Sequence, residues 1–318
     1  MMTYNQFKQS HGARILRRGT LKALEYALLI GLSYYILSPL LLKIATSFMA
    51  ESDLLDSLVV YIPKELTLWN YRRAAEFLNY WESLRNTALI SLAAGLLQML
   101  VCSFVGYGLA KFKFKGRGIV IAVVFFSIIT PPLTYQPSMY LKFRYFDVFG
   151  IIEAVTGSSV NLLDSLWPLL ILSVTGFAFK NGLYIFMMMQ FFRGFPEELE
   201  EAAYVDGYGV FRTFFRIILP NSVPMLITVF TFAFAWQWTD TFYTSMFFSR
   251  IKTLSNMLSR GFEGMNVEGH AMALAAGQPL TIALGGTYSL MVIFPLVIVY
   301  VFTQRFLTQG IERSGIVG

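Results

Sequence analysis

Cysteine, histidine and charge are all scarce in this 318-residue chain, and each scarcity removes a class of function. The single cysteine, Cys102, lies inside an apolar run, so no intrachain disulfide can form. His11 and His270 are expected on opposite sides of a membrane and neither neighbours another typical ligand, which leaves no metal site to propose. No serine or cysteine has a histidine at credible range, so hydrolytic catalysis finds no support. No Gly-Lys-Ser or Gly-Lys-Thr occurs, so the chain carries no phosphate-binding loop of its own. Charged residues make up only 14%, against 56% hydrophobic residues and 30 phenylalanines, too apolar a balance for a soluble globular chain.

What the sequence has instead is long apolar runs. Six recur, at about 23–48, 84–112, 119–141, 166–192, 222–248 and 280–306, each long enough to cross a hydrocarbon core. The expectation is an all-α polytopic membrane protein. It comprises a basic tail (1–22), a transmembrane domain (23–306) and a short C-terminal tail (307–318). Pro39 is an expected kink in the first run, and Pro131-Pro132 disturbs the third. The first run has no small-residue cleavage site and is expected to stay as a span. Lys8, Arg14, Arg17, Arg18 and Lys22 precede it, and Lys111, Lys113, Lys115 and Arg117 follow the second run. Basic residues concentrate on the cytoplasmic side of short loops, which predicts cytoplasmic termini. The net charge of +6 is thereby explained by orientation rather than by nucleic acid.

Between the fourth and fifth runs lies the most charged stretch of the second half, 195–220. Glu197, Glu198, Glu200 and Glu201 follow Pro196, and proline with carboxylates suits the positive end of a helix. The spacing predicts a short helix to about Val205, a break at Gly207 and Gly209, and a second helix ending at Pro220. On that second helix Phe211, Phe214, Phe215 and Ile218 recur at three- and four-residue spacing, with Arg212 and Arg216 opposite. An amphipathic helix lying on the bilayer would explain the phenylalanines. It would not explain Glu201-Ala202-Ala203, then Asp206-Gly207, then Leu219-Pro220. That pattern resembles the EAA loop of ABC importer permeases, and Phe195 to Glu200 resemble its carbohydrate-importer branch.

The resemblance covers nearly the whole chain, including Gly106 to Phe112 and the Tyr61 to Tyr71 region. It implies six spans in the type I importer fold and a bacterial cytoplasmic membrane location. It also implies that Glu200, Glu201, Ala202, Ala203, Asp206, Gly207, Arg212, Leu219 and Pro220 couple the chain to separate ATPase subunits. ATP and magnesium would then sit on those partners, and this chain would not itself be an enzyme. The implied assembly has a second homologous permease, two ATPases, an extracytoplasmic binding protein, a carbohydrate substrate and lipid, with no nucleic acid. The resemblance further brings Gly264, Met265 and Asn266 near the binding protein. Two departures stand out. The tail Gly315-Ile316-Val317-Gly318 lacks the lysine that usually precedes the final glycine, and the 147–164 segment is longer than the resemblance leads one to expect.

Charges inside apolar runs are costly unless paired or wet, and so mark candidate pathway residues. Lys180, with Asn181, either lines a hydrated pathway or snorkels to the interface or a partner. Asp240, with Trp236 and Trp238, either meets sugar rings and hydroxyls or belongs to an interfacial aromatic belt. Two other classes compete with the importer reading. An ion-coupled secondary transporter should show internal repeats and paired mid-membrane acids, and neither is visible. A polytopic membrane enzyme should show converging catalytic side chains, which are likewise missing.

Overall fold

The computed structural model describes the backbone of residues 4–261 and 278–315. Its regular elements are helices, with two isolated β-bridges, Met49 to Leu66 and Phe146 to Val160. In chain order, the main helices are α1 (Tyr4–Ser47), α2 (Tyr80–Lys111), α3 (Arg117–Ile129), α4 (Trp167–Thr175), α5 (Asn181–Arg193), α6 (Glu197–Val205), α7 (Val223–Trp238) and α8 (Gln278–Gly315). Among the described residues, stretches of α1, α2 and α8 are long and apolar enough to cross a membrane unbroken. These correspond to the first, second and sixth apolar runs.

The other three runs are interrupted, each for a local reason. The third is α3, which stops before Pro131 and Pro132 because a residue preceding proline is pushed out of helical conformation. A 3-10 turn and the helix Gln136–Arg144 complete it. The fourth was expected as one helix and is two. α4 ends at Gly176 (φ 79°), with the N–H groups of Phe177 and Ala178 both donating to the Leu172 carbonyl, and α5 starts afresh after Lys180. The fifth is α7, broken after Trp238 and resumed as the helix Phe242–Phe247.

The described residues form two compact units. One takes residues 4–74 together with 278–290. In it, the Asn70 amide donates to the carbonyls of Ser47 and Met49 at 3.1 and 3.0 Å, and Asp53 accepts the N–H groups of Lys64 and Glu65. Those bonds fix the segment that follows α1. The stem of Lys43 lies along Gly286 of α8.

The second unit, residues 75–261 and 291–315, is organised around α2, packed against α5 and α7. Lipid tails are as apolar as leucine, so close backbone approach rather than hydrophobic burial holds such helices together. Glycines on α2 provide that approach. A Cβ on Gly106 would stand 2.6 Å from the Met188 Cβ, and one on Gly95 would stand 3.2 Å from the Phe230 ring. Gly182 of α5 meets Ser127 and Val124 of α3 in the same way. Cys102, Tyr184, Met188, Met225 and Val229 fill the centre. The Trp238 indole pins α7 to the Val292 carbonyl of α8 at 2.9 Å.

The long 147–164 segment is a folded lobe. The Phe146–Val160 bridge closes its base, and the helix Ile151–Thr156 sits between two left-handed glycines. Asp164 fastens the lobe to the chain beyond α7. Its carboxylate accepts the N–H groups of Ser249 and Arg250 at 2.6 and 2.8 Å and the Ser249 hydroxyl at 2.6 Å.

Candidate functional site

The loop from α5 to α7 is built as the charge pattern predicts. Pro196 precedes α6, whose first turn holds Glu197, Glu198 and Glu200. Its end is a Schellman turn: Tyr208 N–H donates to the Ala203 carbonyl and Gly207 N–H to the Tyr204 carbonyl, with Gly207 at φ 78°. A Cβ at Gly207 would meet nothing within 4 Å, so backbone conformation alone selects glycine there. Arg212 lies over the Tyr208 ring at 4.4 Å and braces the elbow.

The second helical segment runs Val210–Asn221 and meets α7 at a bend of 79°. Pro220 has no N–H to offer back along the helix, and the backbone widens into a π-turn over Phe214–Ile218 just before it. Asn221 and Ser222 compensate with side-chain bonds to the carbonyls of Ile217 and Ile218, at 2.7 and 2.6 Å.

Two contacts seat the loop on the last turns of α2. One is aromatic: Phe214 packs against Phe104 and Tyr107 of α2, with Phe104 also stacked on Phe211, and its ring also meets Phe192 of α5. The other is ionic. Lys111 Nζ lies 3.3 Å from Glu200 Oε1, with the two side chains only 8% and 10% exposed, and donates to the Phe195 carbonyl at 3.0 Å. Arg117 closes the same helix end by donating to the carbonyls of Leu109 and Ala110. Cations at the negative end of α2 and a carboxylate near the positive end of α6 both fit the helix dipoles.

The face turned away from α2 carries Glu201, Ala202, Asp206 and Gly207, all exposed, together with Val205 at 87%. Arg212 and Pro220 are exposed as well, and Leu219 is half-buried. Glu200 and Ala203 differ from the rest of the predicted coupling set: both point into the protein. Three-residue spacing puts them on one helix face, which the charge pattern by itself did not distinguish.

The pathway candidates also divide. Lys180 sits exposed at the break between α4 and α5 in left-handed conformation (φ 67°), not within a continuous helix over the 166–192 run. Its Nζ lies 4.9 Å from the ring centres of both Phe179 and Trp236. Asn181 is buried, and its amide has no hydrogen-bond partner. Trp238 is buried and committed to Val292. Asp240 is buried too, its carboxylate accepting from the N–H groups of Phe242, Tyr243 and Thr244 at the start of the following helix. Gly264, Met265 and Asn266 lie outside the described residues. Among the described residues no three metal-binding side chains cluster.

Apolar helices broken at defined points, with a two-helix loop seated on one span, define a multi-helix membrane component. The chain belongs to the family of binding-protein-dependent transport system inner membrane components, which matches residues 81–309. It is similar to the alpha-glucoside transport system permease protein AglG of Rhizobium meliloti (strain 1021), 26% identical over 263 residues. That alignment covers 80% of this chain and 62% of AglG, so the chain spans less than two thirds of that relative's length. It is also similar to the arabinooligosaccharides transport system permease protein AraQ of Halalkalibacterium halodurans, 26% identical over 309 residues, covering 95% of this chain and 100% of AraQ. Among solved structures, a bacterial ABC transporter involved in the import of the acidic polysaccharide alginate contains a chain of the same fold. The TM-score is 0.70 at 20% identity, covering 91% of this chain and 97% of that one.

Proposed function

We propose that this chain is the permease subunit of an ATP-driven, binding-protein-dependent carbohydrate importer and forms half of its translocation pathway. The observation that carries the reading is the loop on α2: two short helices, an exposed face of Glu201, Ala202 and Asp206, and a glycine elbow set by conformation rather than space. A face so rigidly presented suits a protein cleft better than a bilayer surface. Family membership supports a binding-protein-dependent system, and relatives named for saccharides support the substrate class.

In this reading both termini and the loop face the cytoplasm, where the loop meets ATPase subunits that carry ATP and magnesium. The partner permease completes the pathway, and a binding protein delivers sugar on the far side. Closure of the ATPases moves the loop, and the spans alternate between two states. Lys180 and Trp236 are assigned to the hydrated pathway, because both are exposed and adjacent. Asp240 and Trp238 are assigned to holding α7 and its continuation in place.

Ala202 provides the test. It is exposed on the proposed docking face, so arginine there leaves the fold intact and obstructs the cleft. The Ala202→Arg assembly should lose its ATPase on size-exclusion chromatography, while Leu58→Ala, an exposed change elsewhere, should keep it. Full ATPase retention by Ala202→Arg would reject the loop as the docking element.

A further inference from the structure

The loop joins its neighbours in sequence at breaks in helical geometry, and it is packed against a helix remote in sequence. On one side Gly194 separates it from α5. On the other, a π-turn, Pro220 and a 79° bend separate it from α7. Against α2, nearly a hundred residues away in sequence, it is held by the Phe104–Tyr107–Phe214 cluster and by Lys111. Lys111 reaches both Glu200 on α6 and the Phe195 carbonyl just before it, so one ammonium holds two points of the loop. Glu200 is the one buried glutamate of the four in α6, and Ala203 beside it lets the helix lie close.

We propose that Lys111 and Glu200 form a buried latch that makes α6 a rigid extension of α2. Displacement of the loop then passes directly into α2 rather than along the backbone into α5 or α7. Both are positioning residues: neither needs to touch the ATPase, and Glu200 is turned away from the exposed face. The inference rests on the coupling role proposed for the loop, yet it concerns a joint inside this chain and can be read without transport. A buried carboxylate that loses its cation has strong reason to leave the interior, and α6 would go with it. Removal of either charge should therefore free α6 while the aromatic cluster still retains the second helical segment.

Pairs of spin labels test this in the intact transporter in lipid nanodiscs. Val205 on the exposed end of α6 and Leu100 on the outer surface of α2 are suitable positions, and Cys102 is buried. In the otherwise wild-type protein the distance distribution should be narrow and unchanged between nucleotide-free and vanadate-trapped states. Lys111→Met and Glu200→Gln should each at least double its width, Lys111→Arg should restore it, and the double variant should be no broader than either single one. Thermal midpoints, measured in parallel, should stay close for all variants. A distribution that shifts with nucleotide in the wild type, or stays narrow in Lys111→Met, would overturn the latch. So would broadening matched by general loss of stability. Because the widths of the variants are compared in the nucleotide-free state, failure there and failure of the functional reading, tested by Ala202→Arg, are separate results.

Discussion

Lys180 shows how a single residue can be recognised from sequence and still be misplaced by it. A lone lysine in an apolar run is conspicuous, since lipid tolerates it poorly. Its actual setting depends on Gly176, whose left-handed turn ends α4 and puts Lys180 at a helix break, over two aromatic rings. The run of apolar residues continues through this break, so hydropathy alone reads a continuous span. Left-handed conformation costs a lysine on the order of 1 kcal/mol, and glycine adopts it freely. Lys180→Gly should therefore leave thermal stability equal or slightly higher while reducing sugar uptake, whereas Lys180→Gln should reduce both. Unimpaired uptake by Lys180→Gly would remove this residue from the pathway. Glu200 and Ala203 teach a similar lesson. The motif identified them, but only the packing of α6 on Lys111 turns them inward.

At the scale of elements, the helices legible from sequence are those whose ends carry strong signals. α2 and α8 match their apolar runs, and α6 begins after Pro196 and ends at Val205, ahead of the Gly207 turn, as its residues require. The missing information was contact between helices. Nothing in the order of residues says that Gly106 lies against Met188, yet no Cβ fits there. Gly106→Leu should separate α2 from α5 and cost on the order of 1–3 kcal/mol or more, as overpacking does. A lowered midpoint for detergent-solubilised protein would show it; an unchanged one would mean that the helices do not pack this closely. The lobe at 147–164 has its own fastening. The Ser249 hydroxyl and the Arg250 and Ser249 amides stabilise the Asp164 carboxylate and hold it below the usual aspartate range. A depressed pKa means that the clamp is at full strength above the ordinary aspartate value of about 3.9 and is lost as pH falls through the folded value. Hydrogen exchange in 143–165 should accordingly rise only in strong acid, and Asp164→Asn should show the same rise at neutral pH. Equal protection in the variant would remove Asp164 as the fastening.

For the whole molecule, the proposed orientation rests on charge asymmetry and on the partner proposed for the loop. Cysteines at positions 10 and 115 should react with an impermeant reagent only after cells are opened, and one at 158, on the exposed lobe, should react in intact cells. The reverse pattern at 158 would invert the topology. The interrupted apolar runs carry a consequence for biogenesis. α3 has 13 residues, about 20 Å of helix, against a hydrocarbon core of about 30 Å. α4, α5 and α7 end in turns whose backbone groups need neighbouring protein once inside lipid. Such segments are poor residents of a bare bilayer. Helix α2, 32 residues long and unbroken, can wait in the membrane alone. Chain order therefore suits insertion as well as structure: α2 emerges from the ribosome before the broken helices that pack on it.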